Sequence, residues 1–179
     1  MAGQPPDRGR PGIDRHGPHR RRARPAGRGP VTAFRRATAA DLPAILALLA
    51  DDPLGAGRED PADAARYRAA FDLIDADPAQ LLAVAQDGDR VVGTLQLTFI
   101  PGLARSGALR GQIEAVRVAR SHRGAGLGRA MMDWAIAECR ARGCALVQLT
   151  TDRSRKDAHR FYDGLGFVPS HVGYKLALD

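Results

Sequence analysis

Two cysteines are all that the 179 residues contain. Cys139 and Cys144 stand five apart, with no CxxC spacing and no accompanying histidine pair, so neither a disulfide framework nor a zinc site is indicated. Reduced, buried thiols are the reading that fits, and no metal is expected. The chain also lacks any apolar run near the roughly 18 to 20 residues that cross a bilayer. Its arginine-studded start has no apolar h-region of the kind an export signal carries. A cytoplasmic protein with no membrane partner is expected.

Positive charge is plentiful but unevenly placed. The net charge is +7, yet eight arginines against Asp7 and Asp14 put +6 into residues 1–30, which leaves +1 for residues 31–179. Residues 1–30 also hold six of the twelve prolines and six glycines. Such a composition buries too little apolar surface to offset the entropy of ordering, so the segment reads as a disordered extension. A nucleic-acid arm is the functional alternative. The favoured reading is an inert extension, or a gene model begun upstream of Val31, and no nucleic-acid partner is expected. Residues 31–179 then make one domain, a size sufficient for a single core.

No internal repeat appears, and the elements follow in order. Residues 32–36 read as a strand, and Thr38 with Asp41 as a helix start. Leu42, Ile45, Leu46 and Leu49 give one apolar helical face. Pro61 suits the first turn of a second helix carrying Tyr67, Phe71 and Ile74. Strands at 81–85 and 91–100 flank Asp87-Gly88-Asp89, a hairpin turn. A strand at 112–118, a helix at 127–142, a strand at 145–151, a short helix at 157–165 and a last strand region at 167–178 complete an α/β layout.

The informative stretch joins the strand at 112–118 to the helix at 127–142. Gly124, Gly126 and Gly128 leave successive backbone N–H groups uncovered, and the helix behind them aims its positive end at the same place. That is an anion cradle. Several amides in a row beside Arg123 and Arg129 match a diphosphate better than a carboxylate. A Walker loop needs Lys-Ser/Thr after its last glycine, where this chain has Arg129-Ala130. A dinucleotide fold lacks room, with fewer than 30 residues after the next strand.

Arg123-x-x-Gly126-x-Gly128, after Ile113-Glu114-Ala115-Val116-Arg117-Val118, resembles the Q/R-x-x-G-x-G/A signature of the GCN5-related N-acetyltransferases (GNAT). The run Ala158, Tyr162, Gly166, Phe167 is similar to that family's A-x-x-x-Y-x-x-x-G-F segment. The resemblance covers residues 31–178. It implies an α/β GNAT-type domain with a mixed, twisted sheet splayed at its fourth strand and helices on both faces. It further implies that acetyl-CoA is the cosubstrate, its pyrophosphate held by the amides of Arg123, Gly124, Ala125, Gly126, Leu127, Gly128 and Arg129. Backbone of Val116, Arg117 and Val118 would pair with the pantetheine arm. Arg155 stands where the family often has Asn, and either meets a CoA phosphate or faces water.

Acetyl transfer to an amine needs a base to free the nucleophile and an acid to protonate the departing thiolate. Glu114, four residues before Val118 on one strand, is expected to share its face and to serve as base. An exposed structural glutamate is the alternative. Tyr162 is the candidate acid, with a packing tyrosine as its alternative. His122 in the turn is expected to face solvent or phosphate. With no triad around Cys139, Cys144, His159 or His171, direct transfer is expected rather than an acyl-enzyme. The acceptor is an unidentified amine, and a homodimer is open. A non-catalytic acyl-CoA sensor is the alternative function.

Overall fold

The computed structural model describes residues 33–51, 57, 59–60 and 62–178. The extension at 1–30, Val31, Thr32 and Pro61 lie outside the described residues. Strand β1 (Ala33–Arg36) leads through a 3-10 turn (Ala39–Asp41) into helix α1 (Leu42–Ala50), and α2 (Ala64–Ala76) follows. Helix α2 begins at Ala64, three residues later than expected, and Asp63 caps it, its carboxylate accepting from the Arg66 amide. Strands β2 (Gln80–Asp87), β3 (Arg90–Ile100) and β4 (Arg110–Val118) come next, with a left-handed single turn, α3 (Ala104–Gly107), before β4. Then come α4 (Leu127–Ala141), β5 (Leu146–Leu149) and α5 (Lys156–Asp163).

The five strands form one sheet in the order β1-β2-β3-β4-β5, antiparallel except for the parallel pair β4 and β5. Strand β2 shows why helices cover both faces. Its alternate residues Leu82 and Val84 join a core with Ile45 of α1 and Phe71 of α2, whereas Leu81, Ala83 and Ala85 join the core under α4. A strand buried on both sides reads as a continuous apolar run, as Leu81-Leu82-Ala83-Val84-Ala85 does. Under α4 the side chains of Met131, Met132, Ala135 and Cys139 are fully buried against Leu95, Leu97 and Ile113. Each large one stabilises the fold by roughly 1.5–3 kcal/mol. The helix lies close because β4 has Gly111 there: a Cβ at that position would stand 2.4 Å from Cys139 Sγ.

Two features of β4 decide where a site can form. Its ladder with β5 ends at Ile113 opposite Leu149, so the rest of β4 has no β5 partner and the sheet splays. On the β3 side Gln96 pairs with Glu114 and Thr94 with Arg117, so Ala115 and Val116 together oppose Leu95. This is a β-bulge, and Ala115 adopts φ +52° to make it.

Residues 167–178, expected as a last strand, form no strand. Among the described residues the outer edge of β5 carries no partner strand.

The start of α1 is held by charge. Arg35 donates twice to Asp41, at 2.7 and 2.9 Å, and the Thr38 amide and hydroxyl donate to the same carboxylate at 2.7 and 2.9 Å. These donors, Arg35 foremost, pull the Asp41 carboxyl down to about 2 against the opposing effect of burial. Because the folded value lies below the unfolded one, the stabilisation is present above pH 4 and is lost as pH falls from about 4 towards 2. Asp41→Asn is therefore expected to cost about 2 kcal/mol at pH 7. It should also flatten the acid limb of a urea-denaturation pH series, which the wild type keeps.

Candidate active site

The turn between β4 and α4 begins with a 3-10 segment (Arg120–His122). Gly124 (φ +74°) and Gly126 (φ +86°) then take left-handed conformations that only glycine adopts without strain. Gly126 is the N-cap of α4. The Arg123 amide donates to the Arg120 carbonyl at 3.3 Å, and the next amide with an acceptor is that of Ala130, on Gly126 O at 3.1 Å. Between them, the amides of Gly124, Ala125, Gly126, Leu127, Gly128 and Arg129 have no acceptor among the described residues. A helix start leaves such donors by construction, and here the preceding loop extends the row.

The arginines flanking the cradle are engaged inside the chain. Arg123 donates through Nε to the Val118 carbonyl (2.9 Å) and through Nη2 to Asp51 (3.1 Å) at the end of α1. Arg120 meets the other oxygen of Asp51 at 2.6 Å. Arg129 donates to the Gly164 carbonyl at the end of α5 (2.8 Å), which binds the second helix to the first. Phe161 strengthens that junction, since a Cβ on Gly128 would lie 3.5 Å from its ring.

His122 corrects one expectation. It is buried rather than solvent- or phosphate-facing, with Nε2 3.1 Å from Asp87 and Nδ1 2.8 Å from the Ser121 hydroxyl. The β2–β3 hairpin delivers Asp87 to the glycine turn, a pairing across 35 positions that no local pattern reveals.

Tyr162, half-buried on α5, stacks edge-on with Phe161 and Phe167, at 5.3 and 6.0 Å between ring centres. Burial pushes its phenol above the ordinary value, while the guanidinium charges of Arg155 and Arg117 pull the other way. Such a phenol stays protonated at neutral pH and has cations at hand for the phenolate it leaves on giving up a proton. Arg155 sits at the N-cap of α5, and Arg117 also donates to the Val116 carbonyl at 3.0 Å.

Glu114 is exposed, but it does not share a face with Val118. The bulge at Ala115 adds a residue and inverts the alternation, so Glu114 lies with Arg117, Gln96 and Thr94 while Val118 packs toward the α4 core. That puts Glu114 on the face covered by α1 and α2. A cavity of about 100 Å³ opens there, lined by Leu46, Tyr67, Ala70, Thr94, Gln96 and Ala115 among others. Gln112 accepts from Gln148 on β5 at 2.8 Å.

Cys139 is fully buried, and burial with Cys144 beside it pushes its thiol up to about 12, far from a reactive thiolate. Both cysteines are free. Among the described residues no group of three or more His, Cys, Asp or Glu is placed to hold a metal, and no helix is long and apolar enough to cross a membrane.

A row of bare amides, a splayed sheet and a tyrosine helix behind them have a counterpart among known proteins. Residues 42–167 match the profile of the Acetyltransferase (GNAT) family. The chain belongs to the GNAT family. It is an acyl-CoA-dependent N-acetyltransferase by that membership and by its relatives. The aminoalkylphosphonate N-acetyltransferase of Salmonella typhimurium is 30% identical over 149 residues, covering 83% of this chain and 93% of that protein. The glucosamine 6-phosphate N-acetyltransferase of Trypanosoma brucei brucei is 42% identical over 82 residues, and the match spans 46% of this chain and 54% of that one. Among solved structures, a transcriptional regulator from Bacillus halodurans C-125 superposes with a TM-score of 0.77 at 44% identity, covering 82% of this GNAT chain and 99% of the other.

Proposed function

We propose that this GNAT protein transfers the acetyl group of acetyl-CoA directly to a primary amine, with both substrates held together. The observation that carries the proposal is the row of six amides from Gly124 to Arg129, without an acceptor among the described residues, at the positive end of α4. A diphosphate, rich in acceptor oxygens and doubly charged, suits those donors. Val116, Arg117 and Val118 lie where β5 no longer covers β4, and that edge suits an added strand-like partner such as the pantetheine arm, which would take over the Val116 and Val118 carbonyls from the Arg117 and Arg123 side chains.

The cosubstrate supplies an activated thioester carbonyl. Glu114 takes the proton of the incoming ammonium, from the face that carries the cavity between α1, α2 and the sheet. Tyr162 donates its hydroxyl proton to the departing sulfur, with Arg155 and Arg117 near enough to favour the phenolate. Cys139, kept as a buried thiol, is unsuited to carry an acyl group, which supports direct transfer. The two named relatives act on amines, which supports an amine acceptor here, small-molecule or peptide. Unpaired cysteines agree with a cytoplasmic setting.

The test is release of free thiol from acetyl-CoA in the presence of a panel of primary amines. Release with at least one amine and not without is the expected result. Binding of acetyl-CoA with no release for any amine would favour the sensor alternative.

A further inference from the structure

The row of amides from Gly124 to Arg129 includes two glycines in left-handed conformations, and glycine imposes little order of its own. What keeps the row in shape must therefore lie at its ends. Helix α4 holds the far end. At the near end the chain leaves β4 with the Ala119 amide on the Val92 carbonyl of β3 (2.9 Å) and the His122 amide on the Ala119 carbonyl (2.8 Å). Two side chains fasten it further, those of Arg123 and His122. The Arg123 side chain is 47% exposed, so water competes for its bonds to Asp51 and the Val118 carbonyl. His122 is buried and meets no such competition.

Among the described residues the buried polar side chains are Asp41, Thr94 and His122. Asp41 starts α1, and Thr94 donates to the Ala83 carbonyl within the sheet. His122 serves neither a helix start nor a ladder. Its ring is held on two sides, with Nε2 3.1 Å from Asp87 Oδ2 and Nδ1 2.8 Å from the Ser121 hydroxyl. An imidazole with its hydrogen on Nε2 donates to the carboxylate and accepts from the hydroxyl. An apolar side chain would set only the depth of the turn, whereas two directional bonds also set its rotation. A shift of the turn would leave a buried ring nitrogen unpaired, which is costly. Asp87 is itself well placed, because it ends β2 opposite Arg90, whose guanidinium lies 3.5 Å from the carboxylate.

We infer that His122, held by Asp87, is a positioning residue for acetyl-CoA: the pair locks the glycine turn so that its six amides are aimed before the diphosphate arrives. Donors that need no reordering on binding give tighter binding. The inference rests on the diphosphate reading of the cradle. No proton transfer is assigned to His122, so its loss should move affinity and spare the chemical step.

Isothermal titration of acetyl-CoA into the full chain, beside steady-state kinetics with a good amine, tests it on His122→Leu, Asp87→Ala and Asp87→Asn. His122→Leu and Asp87→Ala are each expected to weaken binding about tenfold or more, with kcat at saturating acetyl-CoA within about threefold of the wild type. Asp87→Asn keeps an acceptor oxygen facing Nε2 and should restore most of the affinity. Thermal unfolding checks that each variant is folded, and the two Asp87 variants decide the matter should His122→Leu not fold. A wild type that binds while Asp87→Ala binds equally well overturns this inference alone. So does an Asp87→Asn variant as weak as Asp87→Ala, because charge and not the hydrogen bond would then matter. A folded wild type that binds no acetyl-CoA overturns the diphosphate reading and this inference with it.

Discussion

Tyr162→Phe is expected to lower kcat by about 100 to 10,000-fold, the range that a positioned acid contributes, while Kd for acetyl-CoA stays within about twofold. The substitution removes one oxygen and leaves the ring, so the edge-on contacts with Phe161 and Phe167 persist and the junction with α4 is preserved. Only proton donation is lost. The two arginines sharpen the expectation: they oppose the rise that burial imposes on the phenol, an arrangement that favours a phenolate formed transiently. A pre-steady-state measurement with a good amine separates the acyl-transfer step from product release. A variant that turns over as fast as the wild type removes Tyr162 from the chemistry.

Gly126→Val is expected to weaken acetyl-CoA binding at least tenfold, a loss of about 1.4 kcal/mol or more. No heavy atom lies within 4 Å of where its Cβ would stand, so the loss does not come from a clash. It comes from the backbone. A β-branched residue at φ +86° carries strain of order 1–3 kcal/mol and relaxes by rotating the peptide planes that aim the neighbouring amides. Gly126→Ala, less strained, should fall between the two. Thermal unfolding of the variants guards against global loss, since the left-handed position precedes α4 and leaves the core under it untouched.

Much of this was legible in the sequence where a signal is local. Glycines ahead of an amphipathic run announce a turn with bare amides, and both appear where expected, at Gly124 and Gly126 and in α4. Apolar runs bounded by turn residues mark β2, β3 and β4, and Thr38 with Asp41 marks the entry to α1. Other features depend on partners far along the chain. Nothing near Ala115 announces a bulge, because the residue is not glycine, and so period-two counting put Glu114 on the wrong face relative to Val118. Asp87 and His122 meet only once the hairpin folds beside the turn. Arg123 and Arg129 read as phosphate ligands from their place beside the glycines, and their further contacts to Asp51 and the Gly164 carbonyl come from residues far along the chain. The stretch 167–178 has a strand's pattern, but alternation names a face and not the edge it needs.

The central claim is that the six amides between Gly124 and Arg129 hold the diphosphate of coenzyme A. Isothermal titration of acetyl-CoA into the full chain tests it most directly, run beside Gly126→Val at the same concentrations. Saturable binding to one site per chain is expected for the wild type, and at least tenfold weaker binding for the variant. A folded wild type that evolves no heat of binding, or a variant that binds equally well, would contradict it.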